Sequence, residues 1–167
     1  LVGSEMCIRD SVYPAGHHEA AWRHPTSAPH RIYDVDYYRE IARTAEAATL
    51  DAVFFADGPA LQGDVAHNAV GRLEPITVLT AMATATERLG LIATASTTYY
   101  EPYNLARLFG SLDHLSRGRA GWNIVTTGNE AAAANFGLDA HPEHADRYAR
   151  AQEFVDVESR DTGKPLG

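Results

Sequence analysis

Residues 91–126, LIATASTTYYEPYNLARLFGSLDHLSRGRAGWNIVT, contain the clearest structural pattern in the chain. They begin with a short apolar run that includes β-branched side chains, as buried strands do. The pair Glu101-Pro102 then opens a helix, because proline costs no hydrogen bond at the first helical position. This helix ends before Gly118, and its apolar stripe consists of Leu105, Leu108, Phe109, Leu112 and Leu115. A second apolar run over residues 120–126 completes a predicted βαβ unit, whose two strands pair in parallel.

The same alternation extends towards the amino end of the chain. Residues 51–57, DAVFFAD, form a short apolar run that is predicted as a buried strand ending at Asp57. Glu74-Pro75 opens another helix, which we expect to continue to Gly90. An earlier helix, with Asp36 as its cap, precedes the first of these strands. Its apolar face consists of Tyr38, Ile41, Ala42, Ala45 and Ala48.

A last helix is expected from near Pro142 to residue 157, so strands and helices alternate along most of the chain. Intervals of roughly 30–40 residues are typical of right-handed βαβ units. A doubly wound nucleotide-binding sheet would carry a glycine-rich turn after its first strand, and the chain contains neither GxGxxG nor GxxxxGK[ST]. We therefore predict an α/β fold, the N-terminal half of a (β/α)8 TIM barrel, since a complete barrel takes about 250 residues.

Polar side chains follow or end several of the predicted strands. The carboxyl ends of barrel strands meet at one rim, where active sites form, so we expect these side chains to line one site. Asp57 before Gly58 also suits a simple turn, and the Ser/Thr run also suits β-propensity alone. Asn123 is harder to explain without a role, because a buried amide needs a partner. The full set is His17, His18, Trp22, Asp57, Thr94, Ser96, Thr97, Thr98, Asn123, Thr126 and Thr127.

His141, His144 and Tyr148 lie around the start of the last predicted helix. The spacing of the two histidines resembles a metal-ligand pair, but no second ligand cluster accompanies it, and we expect no metal. His144 and Tyr148 are one helical turn apart and can face one site, although Tyr148 also suits core packing. The chain has no GxSxG elbow and no candidate nucleophilic cysteine, so its polar groups suit the positioning of a cofactor.

The composition excludes several classes of protein. A net charge of −8 argues against nucleic-acid binding, which needs clustered Lys and Arg. No apolar run approaches the ~20 residues of a membrane span, so no membrane partner is expected. One cysteine, Cys7, excludes intrachain disulfides, and a cytoplasmic location fits these features.

The two ends of the sequence differ from the part between them. Residues 1–11, LVGSEMCIRDS, have neither a strand period nor a helix period and resemble a translated sequencing adapter. We therefore expect residues 1–11 to be a non-native leader. Residues 158–167, ESRDTGKPLG, are polar and contain Gly and Pro, so an irregular tail is expected there. Residues 12–157 remain as the partial barrel domain.

Several ordered segments resemble the luciferase-like flavin-dependent monooxygenases, in the branch of the nitrilotriacetate and dibenzothiophene-sulfone monooxygenases. Together they cover about residues 12–157, and their order along the chain makes the resemblance specific. The segments are PAGHHEAAWRHP (14–25), FFADG (54–58), RLEP (72–75), ERLGLIATASTTY (87–99), EPY (101–103), SLDHLS (111–116), GRAGWNIVT (118–126), NFG (135–137) and RYAR (147–150).

The resemblance implies an enzyme with a (β/α)8 barrel that uses FMN in its reduced form, FMNH2. A separate NAD(P)H:flavin reductase would supply the FMNH2, and O2 would add to the flavin to give a C4a-hydroperoxide that oxygenates a small organic substrate. The protein would hold the flavin, exclude water and position the substrate. Related enzymes are often oligomers, so a homo-oligomer is expected.

The resemblance also assigns roles to individual residues. Asn123 and Trp22 are candidates for the substrate pocket. His17 or His18 is a candidate for the catalytic handling of protons, because imidazole titrates near neutral pH. The family's FMN-contacting positions correspond to Asp57, Thr94, His144 and Tyr148.

The chain departs from the family pattern at both ends. The family has a strand before the PAGHH segment, where this chain has the adapter-like residues, and it continues well beyond residue 167. We therefore expect a piece of a longer protein, which we call the full-length parent. Three alternatives remain: a deazaflavin-dependent hydride-transfer enzyme with the same barrel, a non-catalytic fragment, and a metal hydrolase that uses the histidines. The WRHP and GWN segments favour the monooxygenase.

We expect the 167-residue chain by itself to aggregate or to unfold without cooperativity, because half a barrel exposes unpaired strand edges and apolar surface. It should also bind FMN poorly and show no turnover. Size-exclusion chromatography and a urea melt test this expectation. A soluble monomer with one cooperative transition contradicts it.

Overall fold

One parallel sheet with its connecting helices makes up the chain in a computed structural model, which describes residues 9–13, 15–16, 18, 20–60 and 72–162. The strands are neighbours in sequence order, β1-β2-β3-β4, and all pairs are parallel. They are β1 (Arg9–Ser11), β2 (Ala52–Phe55), β3 (Gly90–Ser96) and β4 (Ala120–Val125). A doubly wound sheet reverses its strand order at a switch point, whereas a barrel does not. The predicted half-barrel is therefore confirmed.

A helix connects each pair of consecutive strands, as parallel pairing requires. The connecting helices are α1 (Val35–Ala47), α2 (Pro75–Ala83) and α3 (Pro102–Ser116). After β4 come a single helical turn, α4 (Ala132–Asn135), and the long α5 (His144–Thr162). No helix in the described part of the chain is both long and apolar enough to cross a membrane.

The apolar core lies between the helices and one face of the sheet. Alternate residues of β2 and β3 point into it, because successive side chains of a strand face opposite ways. Helices α1, α2, α3 and α5 contribute the rest. Its largest fully buried members are Val53, Leu89, Leu91, Tyr38, Leu79, Met82, Leu105, Leu112 and Phe154. The side chains on the opposite face of the sheet lie outside this core and are therefore candidates for a functional role.

Helix α1 is capped by Asp34 and not by Asp36 as predicted. The Asp34 carboxylate accepts the backbone N–H of Asp36 at 2.9 Å, and the helix begins between the two residues. Arg31 donates both to Asp34 at 2.9 Å and to Glu40 at 2.8 Å, which fixes the cap against the first turns of the helix. Two aspartates two residues apart can each cap a helix, so local sequence does not decide between them.

Helix α2 ends at Ala83, earlier than the predicted Gly90. Glu46 of α1 is the reason, because its Oε1 atom accepts the backbone N–H groups of Glu87, Arg88 and Leu89 at 2.9, 2.6 and 3.0 Å. Those donors therefore serve a tertiary contact instead of a helical turn. Gly90 starts β3, where a side chain's Cβ would lie 2.9 Å from the Asp51 carbonyl oxygen.

Arg119 connects the elements at the amino end of the sheet through hydrogen bonds. Its Nη1 donates to the Thr86 hydroxyl and the Leu89 carbonyl at 2.9 and 2.8 Å, and its Nη2 donates to the carbonyls of Ala83 and Thr86 at 3.0 and 3.1 Å. Its Nε donates to the Ser116 carbonyl at 2.6 Å. One guanidinium thus donates to backbone carbonyls at the carboxyl ends of α2 and α3 and to the carbonyl of Leu89, the residue before β3.

Two boundaries expected near the chain ends differ from the elements in the structure. Residues 9–11, which fall in the expected leader, form β1, and the backbone N–H of Val12 continues the pairing by donating to the Phe54 carbonyl at 2.9 Å. A strand of three residues is too short to show a clear side-chain period. The expected irregular tail begins too early, because α5 continues through Thr162 and the first helix breaker is Gly163. Residues 1–8 and 163–167 lie outside the described part.

Replacement of Arg119 by Met should destabilise the full-length parent by about 2–4 kcal/mol, because four backbone carbonyls lose a charged donor at once. Urea melts measure the change. Arg117→Met is the matched control, since Arg117 is an exposed arginine just after α3. Equal losses for the two variants would contradict the role of Arg119.

Candidate functional site

Thr94 and Asn123 form a polar pair on the sheet face that is opposite the helices. They are directly paired in the register of β3 and β4, and the Asn123 Nδ2 donates to the Thr94 Oγ1 at 3.0 Å. Their neighbours Ala93 and Trp122 pack against the core on the other face. Thr94 is only 4% exposed. The hydroxyl accepts from Asn123 and keeps its own proton to donate, so the pair offers a directed donor next to the strand ends.

The hydroxyls beyond Thr94 close the carboxyl end of β3. Thr127 donates to the Ser96 Oγ at 2.7 Å, and Ser96 accepts the backbone N–H of Thr98 at 3.2 Å. The backbone N–H of Thr97 donates to the Val125 carbonyl at 3.0 Å. These residues, predicted as part of the polar rim, hold the loops after β3 and β4 together.

Asp57 follows β2 and is half-buried. Burial raises the pKa of its carboxyl above the ordinary value; the Gly58 N–H opposes this shift, the charge of Glu74 adds to it, and that of Arg72 opposes it. Burial also raises the pKa of Tyr100, with further contributions from Glu74 and Asp57. The charge of Asp57 therefore affects Tyr100 in the loop that follows β3. This agrees with the expectation that the carboxyl ends of the strands lie at one edge of the sheet.

His144 and Tyr148 stack on each other in the first two turns of α5. Their ring centroids are 4.5 Å apart with an interplanar angle of 31°. Tyr148 is 55% exposed and lies outside the core of this chain, whereas Phe154, 1% exposed, is the aromatic core residue of α5. An exposed imidazole and phenol side by side can both donate to one ligand.

The segment before α5 packs on the loop after β3. The Tyr99 hydroxyl lies 2.7 Å from the His141 Nδ1, and the Phe136 ring stacks on Tyr99 with centroids 4.5 Å apart. Arg150 of α5 donates to the backbone of the same loop at Thr97. Sequence reasoning assigned no role to these contacts. The sequence carries no periodic signal for these contacts, because the residues that they join are about 40 to 50 positions apart.

The remaining candidates lie in the loop after β1. His18 is exposed, and its Nδ1 accepts the backbone N–H of Ala20 at 3.1 Å. Trp22 is half-buried in a 3-10 turn (Ala21–Arg23), with the Arg23 guanidinium 4.9 Å from its ring centroid. These contacts stay within the loop, so they do not join His18 or Trp22 to the strand-end residues. His17 lies outside the described residues.

Within the described ranges, no three His, Cys, Asp or Glu side chains come close enough together to hold a metal ion. The two histidines of the HPEH segment also have separate partners, Tyr99 for His141 and Tyr148 for His144. Their spacing along the chain therefore does not bring them to one ion.

Comparison with known proteins places this arrangement in a family. Residues 14–162 match the family described as luciferase-like monooxygenase. Nitrilotriacetate monooxygenase component A of Aminobacter aminovorans is 52% identical over 155 residues, which cover 86% of this chain and 34% of that protein. Dibenzothiophene-sulfone monooxygenase of Rhodococcus erythropolis is 47% identical over 151 residues, 84% of this chain and 33% of that protein. The predicted family resemblance is confirmed.

A solved structure of riboflavin lyase with modified FMN and substrate riboflavin has the same fold. It superposes with a TM-score of 0.82 at 38% identity and covers 92% of this chain and 36% of that one. The chain thus spans about a third of the length of the curated relatives it matches.

Asp57→Asn should stabilise the full-length parent near neutral pH. The pKa of Asp57 is higher in the folded than in the unfolded state, so its ionisation opposes folding. This penalty is absent below the unfolded pKa of about 4 and is complete once the pH has passed the folded pKa. The substitution should therefore raise the melting temperature more near pH 7 than near pH 4. Asp139→Asn, at an exposed loop position, is the control, and a pH-independent effect of Asp57→Asn would contradict the prediction.

Proposed function

This chain belongs to the luciferase-like monooxygenase family, and from that premise we propose that it supplies part of a two-component, FMN-dependent monooxygenase. Two observations outside the chain support the proposal. The relative from Aminobacter is itself named as component A of a monooxygenase, and a solved neighbour holds a modified FMN. In this proposal residues 12–157 form a partial barrel domain, and the full-length parent supplies the remaining strands.

The proposal rests on the kind of polar group found after the strands and in the first turns of α5. These groups are a carboxylate at Asp57, the Thr94–Asn123 pair, and the neighbouring rings of His144 and Tyr148. Hydrogen-bond donors and acceptors without an activated nucleophile suit a cofactor that performs the chemistry. Flavin has the matching groups, with acceptors and a donor on its ring, hydroxyls on its ribityl chain and an anionic phosphate.

The roles of the residues follow from their chemistry. The Thr94 hydroxyl, oriented by Asn123, would donate to the flavin ring system, and Asp57 would accept from a cofactor hydroxyl or N–H. His144 and Tyr148 would donate to the ribityl chain or the phosphate from the first turns of α5, where anions are favoured. Reduced FMN, when bound, supplies the electrons with which one atom of O2 passes to the substrate while the other leaves as water.

The substrate-side roles rest on residues of the loop after β1. His18 keeps its Nε2 available after its Nδ1 accepts from Ala20, so it could exchange a proton with substrate; His17 is the neighbouring candidate. Trp22 and Asn123 would contribute to the pocket wall. The further partners in the proposal are a separate NAD(P)H:flavin reductase, O2, a small organic substrate and further copies of the chain, in the cytoplasm, where NAD(P)H is available.

Titration with FMN and with FMNH2, followed by flavin fluorescence and absorbance, tests the proposal. The full-length parent should bind, and Asp57→Asn or Tyr148→Phe should each weaken binding by at least about tenfold. Asp139→Asn and Tyr103→Phe, both at exposed positions to which the proposal gives no cofactor contact, should bind like the wild type. A parent that binds no flavin would overturn the assignment, and selective binding of a deazaflavin would favour the hydride-transfer alternative.

A further inference from the structure

Arg150 joins helix α5 to the loop that follows β3. Its Nε donates to the Thr97 carbonyl at 2.9 Å, and its Nη2 donates to the Tyr100 carbonyl at 3.0 Å. The Nη2 also lies 3.6 Å from the Glu101 carboxylate. One side chain thus satisfies two carbonyls of a loop that has left the strand and has not yet become helix α3.

The two segments that Arg150 connects carry most of the proposed cofactor contacts. Thr94 lies three residues before Thr97 on the continuous run of β3 and its loop. His144 and Tyr148 lie on the same helix as Arg150, six and two residues before it. Thr94 approaches the site from the sheet and the stacked pair approaches it from the helix. Their separation therefore depends on what holds α5 against the loop.

Other contacts of α5 secure its attachment and not the placement of its first turns. Phe154 is buried in the core, and its ring lies 5.7 Å from that of Trp122, so the middle of the helix stays docked without Arg150. Near the amino end, the Tyr99–His141 bond and the stacking of Phe136 on Tyr99 hold the segment that precedes the helix. Loss of Arg150 should thus loosen the first turns of α5 more than it unfolds the protein.

Arginine is suited to this position for two physical reasons. Its planar fork donates to two carbonyls at fixed directions, which the single ammonium of lysine reproduces only in part. The nearby Glu101 carboxylate also favours a cation at this point, through a solvent-exposed ion pair. A surface arginine without such partners would not help to hold α5 against the loop.

We propose that Arg150 is a positioning residue of the cofactor site, which sets the His144–Tyr148 pair relative to Thr94; this inference rests on the proposed FMN function. Arg150 does not touch the cofactor in this proposal. It acts through the backbone of residues 97–100, much as residues behind the ligands of a metal site do, where replacement changes affinity by about 10–100-fold.

The experiment measures the FMN affinity of the full-length parent and its variants well below the lowest melting temperature of the set. Arg150→Met should weaken FMN binding by about tenfold, and Arg150→Lys should restore part of the loss. Arg119→Met is the matched control, because Arg119 also donates to backbone carbonyls but at the opposite end of the sheet. It should lower the melting temperature and leave the FMN affinity unchanged.

The outcomes separate this inference from the function on which it rests. Tyr148→Phe tests the cofactor contact directly. Weakened binding in Tyr148→Phe with normal binding in Arg150→Met overturns the positioning role and leaves the proposed function standing. Equal loss of affinity in Arg150→Met and Arg119→Met also overturns it, because general destabilisation then explains both. If the parent and every variant fail to bind FMN, the proposed function itself fails.

Discussion

Parallel pairing of the strands in sequence order is the constraint on which the rest of this structure depends. It requires a helix between consecutive strands, so each apolar run must be followed by an amphipathic segment of sufficient length. It also directs all carboxyl ends to one edge and all amino ends to the other. The direct pairing of Thr94 with Asn123 follows from this register, as does the approach of Asp57 to the loop after β3. Without parallel pairing, these residues would be far apart in space as well as in sequence.

The two edges of the sheet are held by different means. At the amino edge, Glu46 and Arg119 bind backbone groups through charged side chains, and no proposed functional residue is involved. At the carboxyl edge, the contacts are those of Arg150, Tyr99 and His141, and they join the loops that carry the candidate site. The contacts at the amino edge and the candidate site at the carboxyl edge are therefore largely separated in space, as is general in barrels. This separation lets variants at one edge serve as controls for the other.

The residues of the candidate site are not arranged for maximum folding stability. Burial and the charge of Glu74 both disfavour the ionised form of Asp57, and the exposed faces of His144 and Tyr148 contribute little to the core. Strand β4 is only half-buried along most of its length. These features fit a protein in which further chain and a bound cofactor cover the rim, consistent with relatives about three times as long.

The sequence by itself determined the alternation of the central strands and helices, the half-barrel class and the parallel pairing of the central strands, because these depend on local periodicity and proline positions. The family followed from ordered segments that resemble known enzymes. The sequence did not reveal β1, which is only three residues long, or the end of α2, which Glu46 of another helix decides. Only the tertiary structure showed that His141 serves Tyr99 and that Arg150 holds the loop after β3. The physical reason is that a hydrogen bond between residues about 40 or 50 positions apart has no periodic signal along the chain, whereas the packing of a strand or helix face repeats within it.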